Sequence, residues 1–184
     1  MMLIRIQIII VMGLIKINER EETNMIILGY PCIGKTTLAQ KDTKFIDLES
    51  SNFSINGTKP EGWHEIYCKI AIDLYKQGKI VFISQDKEVQ DYMSKWLENN
   101  PDELVIMVFP APWLKHEWCN RAKKRYDESQ DEKDLRAYER IEKCFDLDIK
   151  DLEHSNIPKM VISSESASLS DMINNTIKLM NIRK

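Results

Sequence analysis

Nine consecutive residues limit the fold more than any other part of the chain: GYPCIGKTT, Gly29 to Thr37, set between the apolar run MIIL and a polar, helix-forming stretch. The spacing of Gly29, Gly34, Lys35 and Thr36 is that of a phosphate-binding loop, which works only between a strand and the helix that follows it. Glycines at 29 and 34 let the backbone turn its N–H groups toward an anion at the positive end of that helix. Tyr30, Pro31, Cys32 and Ile33 span the turn, and Pro31, lacking an N–H, sets shape without donating. Lys35 is expected to reach the β- and γ-phosphates of a nucleotide. Thr36 is expected to place its hydroxyl on Mg²⁺, and Thr37 to approach the α-phosphate.

The rest of the chain agrees with this context. MIILGY, KFIDLE, KIVFIS, ELVIMVF and KMVISS each have strand length and β-branched content, and each closes on polar or turn-forming residues. Helical patterns fill the intervals: Lys35 to Lys41, Glu61 to Gln77, Lys87 to Glu98, Pro112 to Tyr126 followed by Glu132 to Phe145, and Leu169 to Met180. Strict alternation with nearly continuous apolar strands predicts a parallel sheet with helices on both faces. At 184 residues the chain has the length of one domain, taken here as residues 25–184.

With 26 basic and 29 acidic residues, charge marks no nucleic-acid coat or membrane-binding face. Cys32, Cys68, Cys119 and Cys144 have no metal-binding or redox-pair spacing, and reduced thiols in a cytoplasmic protein account for them. N-x-S/T triplets at Asn52, Asn56 and Asn174 have no secretory context and are set aside.

Several nucleotide-binding classes fail on their own motifs: no NKxD for reading guanine, no LSGGQ signature, and too little chain for a helicase core. The small-kinase branch remains. The succession GYPCIGKTT, FIDLESSNF, KIVFISQD, LVIMVFPAPWLKHEWCNRAKKR and KMVISSESASLSDMI resembles the nucleoside-monophosphate-kinase and shikimate-kinase group of P-loop kinases, over nearly all of the chain from Met25. Within that group, DLESSNF and FISQDKEV are similar to phage-type deoxynucleoside monophosphate kinase-like proteins. The resemblance implies a three-layer α/β fold with strand order 2-3-1-4-5, ATP and Mg²⁺ as cofactors, and a nucleoside monophosphate as the leading small-molecule acceptor. A small metabolite of the shikimate type is the alternative. A nucleotide-binding module with little catalysis is the rival outside the enzymes.

The remaining site residues follow from the same resemblance. Asp47, at the end of the second strand, is expected to engage the acceptor hydroxyl or a water on Mg²⁺; the competing role is capping its own turn. A short lid around residues 112–145 is expected to supply Arg121 and Arg125, four apart on one helix face, to meet charge on the transferring phosphoryl group. Arg136 and Arg140 repeat the spacing on the next helix; the alternative for all four is a solvated face paired with the acidic residues between them. No arginine lies between Arg20 and Arg121, where related kinases grip an acceptor phosphate, which leaves Lys41, Lys44, Lys59 and Lys69 as substitutes. Phe53, Trp63 and Tyr67 with His64 lie where a base would stack, although core packing of Tyr67 and a surface place for His64 compete. Gln85 and Asp86 either read an acceptor edge or, in the case of Asp86, cap the following helix.

The amino end is apolar, MMLIRIQIIIVMGLIKI, but Arg5, Gln7 and Gly13 interrupt it and it is shorter than the ~20 residues of a spanning helix. Residues 1–24 therefore read either as an extra element packed on the domain or as an upstream extension. Met25 would be the natural start in the second case.

Overall fold

Strands buried on both faces need apolar side chains at every position, and three strands at the centre of the sheet have them. The computed structural model describes residues 24–182. It contains β1 (Met25–Gly29), β2 (Phe45–Asp47), β3 (Ile80–Ile83), β4 (Val105–Pro110) and β5 (Lys159–Ile162), all parallel, in the order β2-β3-β1-β4-β5. β1, β3 and β4 are buried throughout, whereas the edge strands β2 and β5, of three and four residues, are half-buried. An edge has a neighbour on one side only, so brevity and polar residues such as Lys159 protect it.

Helices α1 (Lys35–Lys41), α2 (Trp63–Lys76), α3 (Lys87–Asn99), α4 (Lys115–Ser129), α5 (Glu132–Glu153) and α6 (Leu169–Ile182) surround the sheet. One core joins the central strands to Tyr67 of α2, Met93 of α3, Trp118 of α4, Phe145 of α5 and Met172 of α6. Among the described residues no helix is long and apolar enough to cross a membrane.

Register brings the functional loops to one end. Leu28 pairs with Ile83 and Gly29 with Val108, while Asp47 pairs with Phe82. Loops leaving β1, β2 and β3 therefore emerge side by side. After β1 the chain crosses to β2 on one flank, and after β3 it passes to β4 on the other side of β1. That reversal opens a crevice at the carboxyl ends of the strands, where α/β sheets bind ligands.

Several element boundaries differ from expectation by a few residues, and two of the differences bear on the site. The segment from Pro112 starts as a 3₁₀ turn, Pro112–Leu114, before α4 begins at Lys115. The next helix does not stop at Phe145 but runs to Glu153, because Ile141, Phe145, Ile149 and Leu152 keep one buried stripe through a charged sequence. The expected lid is thus the start of a long helical hairpin rooted in the core. Gln130, with φ of 54°, turns the chain, and Asp131 caps α5 by accepting from the Lys133 N–H at 2.7 Å. Of the apolar extension, residues 1–23 lie outside the described residues. Asn24 is buried and donates its side-chain amide N–H to the Tyr75 carbonyl at 2.7 Å, just ahead of β1.

Candidate active site

The loop after β1 is shaped by two left-handed residues, Cys32 with φ of 63° and Gly34 with φ of 100°. Left-handed residues between right-handed ones turn successive N–H groups to one side, forming a concavity that suits an anion. At Gly29 the constraint is space: a Cβ there would stand 2.7 Å from Ile33 Cδ1 and 2.8 Å from Lys35 Cδ. Lys35 lies back over the loop and donates to the carbonyls of Gly29 at 2.9 Å and Tyr30 at 3.2 Å. Desolvation lowers the pKa of this ammonium, opposed by the carboxylates of Asp47 and Glu49. A phosphate taking the place of those carbonyls would supply the charge that Lys35 lacks.

Thr36, the second residue of α1, donates its hydroxyl to Asp47 Oδ2 at 2.6 Å. The two residues predicted to serve Mg²⁺ are thus brought together from adjacent strand ends. Asp47 takes its proton donor from the head of α1 rather than from its own turn. Thr37 is exposed beside them.

The loop is gripped from outside by the hairpin. Trp118 of α4, fully buried, donates its indole N–H to the Pro31 carbonyl at 2.9 Å. Tyr30 turns its ring into the core, edge-on to Phe145, and its hydroxyl reaches Asp148 at 3.5 Å. Arg140 forks onto the same Asp148 with two bonds of 3.0 Å. Tyr30, included with the nucleotide-binding residues by position, therefore offers the site only its backbone. Its hydroxyl pKa is pushed well above the usual range, first by burial and then by Asp148.

The lid arginines separate. Arg125 lies beside Cys32 in the loop and pairs with Asp134 of α5 at 2.5 Å. The Cys32 thiol is pushed up by burial, and the Arg125 guanidinium holds it back. Arg121 instead covers the Trp118 ring at 4.4 Å, pairs with Glu117 at 2.7 Å and donates to the Glu165 carbonyl at 2.7 Å. It ties α4 to the loop after β5, one side chain removed from the phosphate loop. Arg136 pairs with Glu132 on the surface at 3.1 Å, the solvated arrangement.

On the acceptor side, an Asn56-Gly57 turn with both φ positive reverses the chain and returns Lys59 to the crevice. Lys59 bonds Asp86 at 2.5 Å and Ser50 at 3.1 Å, and its ammonium sits 3.8 Å from the centre of the Trp63 ring. Asp86 occupies the N-cap position of α3 but makes no side-chain cap bond; its carboxylate serves Lys59 instead. Phe53, Trp63 and Tyr67 do form one aromatic cluster. Tyr67 is wholly buried within it, accepting from Ser84 N–H at 2.8 Å and donating to the Leu48 carbonyl at 2.6 Å, so it pins the ends of β2 and β3. His64 is half-buried against Trp63 and Tyr92. Glu49 is bound by Lys133 of α5, a contact that spans the crevice.

Sequence reasoning did not foresee Trp118, nor the Lys59–Asp86, Lys133–Glu49 and Arg140–Asp148 pairings. Lys133 and Glu49 are 84 residues apart and Lys59 and Asp86 are 27 apart, so no local spacing signals either pair. Scanned against models of known protein families the chain matches none, and a search of curated proteins returns no match.

Proposed function

We propose that this chain is a cytoplasmic P-loop kinase that transfers the γ-phosphoryl group of Mg-ATP to a small acceptor. Nucleoside monophosphates are the class its resemblance points to, and small metabolites of the shikimate type are the second. The observation that carries the reading is the 2.6 Å bond between Thr36 and Asp47 in the same crevice as Lys35. A carboxylate held at that point can serve both Mg²⁺ and an acceptor oxygen.

The hydroxyl of Thr36 and the carboxylate of Asp47 are hard oxygen donors that fit Mg²⁺, which takes few protein ligands and completes its shell with water and phosphate oxygens. Bound there, the ion would neutralise charge on the phosphate oxygens. The chain's own residues do the rest. Loop N–H groups hold the β-phosphate, Lys35 bridges toward the γ-phosphate, and Arg125 approaches from the hairpin beside Cys32 to meet charge on the moving group. Asp47 orients the acceptor oxygen for in-line attack.

Lys35→Ala tests the reading. ADP release is expected to fall by about 10³-fold or more, the scale of a cation acting in a phosphoryl-transfer transition state. The melting midpoint should stay near that of the wild type, because Lys35 contributes little packing. Unchanged turnover in a folded variant removes the kinase assignment. ATP binding without acceptor-dependent ADP release in the wild type favours the binding module.

A further inference from the structure

Both walls of the phosphate site are tied to a single turn of helix. Asp134, in the first turn of α5, holds Arg125 at 2.5 Å beside Cys32 of the phosphate loop. The residue before it, Lys133, crosses to Glu49 in the loop after β2, 84 residues away in sequence. Lys35 lies within electrostatic reach of both anchors: burial opposes its charge, and its ammonium interacts with Asp47 and Glu49 as well as with Cys32 and Arg125. The head of α5 therefore brings the Lys133 ammonium to the place where Lys35 and the Thr36–Asp47 pair converge.

Lys133 faces this space because the carboxylates nearest to it in sequence are engaged. Asp131 caps α5, Glu132 pairs with Arg136 at 3.1 Å, and Asp134 pairs with Arg125. A lysine carries three N–H donors. Among the described residues Glu49 is the one acceptor that the Lys133 ammonium meets, so two donors remain for a ligand. The other cations of the hairpin are less available, since Arg140 is forked onto Asp148 and Arg121 lies over Trp118 and bonds the Glu165 carbonyl. The Lys133–Glu49 pair is partly exposed on both sides, and ion pairs of that kind contribute little by themselves. The lysine stem is flexible, while its backbone N–H is fixed on Asp131 at 2.7 Å. Should the ammonium turn toward a phosphate, Glu49 keeps the Ser51 hydroxyl, which donates to the same oxygen at 3.1 Å.

We propose that Lys133 is a residue by which this protein distinguishes ATP from ADP: its remaining N–H groups meet the γ-phosphate beside Lys35, and the first turn of α5 docks on the site through the one phosphate that ADP lacks. This rests on the kinase reading above, in which the loop N–H groups hold the β-phosphate that both nucleotides share. The Arg125–Asp134 pair keeps the head of α5 against the loop in either state, and Lys133 responds to the nucleotide.

Calorimetric titrations of the full chain with ADP and with a non-hydrolysable ATP analogue, both with Mg²⁺, test this through the ratio of the two affinities. Lys133→Ala should shift that ratio against the analogue by about tenfold or more, the scale of one charge-assisted hydrogen bond to phosphate. A merely structural role would weaken both nucleotides alike. The Glu49→Gln/Lys133→Ala double variant removes both members of the pair, and its ratio should fall as far as that of Lys133→Ala. A ratio unchanged in Lys133→Ala overturns the inference. So does a ratio restored in the double variant, which would reduce Lys133 to a neutraliser of Glu49. Should Lys133→Ala fail to fold, the double variant, which leaves no unpaired carboxylate behind, decides by itself. The two readings separate on ADP: a protein that binds both nucleotides with a ratio indifferent to these substitutions loses this inference only, whereas one that binds neither loses the kinase reading as well.

Discussion

Replacing Gly29 by alanine adds one methyl group at the tightest point of the phosphate loop. It would stand 2.7 Å from Ile33 Cδ1 and 2.8 Å from Lys35 Cδ, against an optimum of about 3.5–4.0 Å between carbons. Ile33 is buried and has little room to retreat. Lys35 can swing away, but only by withdrawing its ammonium from the Gly29 and Tyr30 carbonyls. Overpacking of this kind costs about 1–3 kcal/mol, and for a domain of this size each kcal/mol lowers the melting midpoint by about 2–4 °C. The functional loss should be larger in proportion. A displaced lysine forfeits a charge-assisted hydrogen bond to phosphate worth about 1.5–3 kcal/mol, a loss of roughly 10- to 150-fold in ATP affinity. Calorimetric titration with ATP beside a thermal melt reads both quantities. Gly57→Ala is the control: φ is +80° with open space around the site, so it introduces backbone strain of about 1–2 kcal/mol and leaves ATP affinity alone. A Gly29→Ala protein that binds ATP as the wild type does would refute the assignment of Lys35 to the phosphates.

Asp47→Asn keeps an oxygen for the Thr36 hydroxyl but removes the charge, so the rate per folded molecule should fall at least 100-fold while the melting midpoint moves by a few degrees at most; a lower midpoint with an unchanged rate would make Asp47 structural. Arg125→Ala strands the Asp134 carboxylate, which is only 8% exposed. Because Arg125 itself is partly in water, the cost should be about 1–3 kcal/mol rather than the full penalty for an orphaned buried charge, measured by denaturant unfolding. A stability unchanged within 0.5 kcal/mol, as expected for the surface pair of Arg136 in the same assay, would show that the pair does not hold the hairpin.

The parallel sheet was legible because burial on both faces forces continuous apolar strands, and Met25 to Leu28, Ile80 to Ile83 and Val105 to Phe109 have no other use. The loop was legible for a related reason: two glycines and a Lys-Thr pair at fixed spacing meet geometric demands that few other residues satisfy. Even there, Cys32 takes a left-handed conformation that its identity does not announce. Helix ends were less clear. Charged residues from Asp146 onward hid the stripe that carries α5 to Glu153, since a helix buries one face and leaves the others free to be polar.

The two lid arginines mark the boundary between the kinds of information. Their spacing placed Arg121 and Arg125 on one helix. It did not say that Trp118 would stand between Arg121 and the loop, or that Asp134 would draw Arg125 toward Cys32. Lys59 with Asp86 and Lys133 with Glu49 follow the same logic: Glu61 lies near Lys59 in sequence and Asp131, Glu132 and Asp134 near Lys133, yet each lysine pairs with a carboxylate brought to it by the fold. The chain alone determined the sheet and the loop, since these rest on local periodicity and backbone conformation; the strand order was implied by its resemblance. The tertiary structure decided which cations are already held by carboxylates, because electrostatic partners are chosen by distance in space.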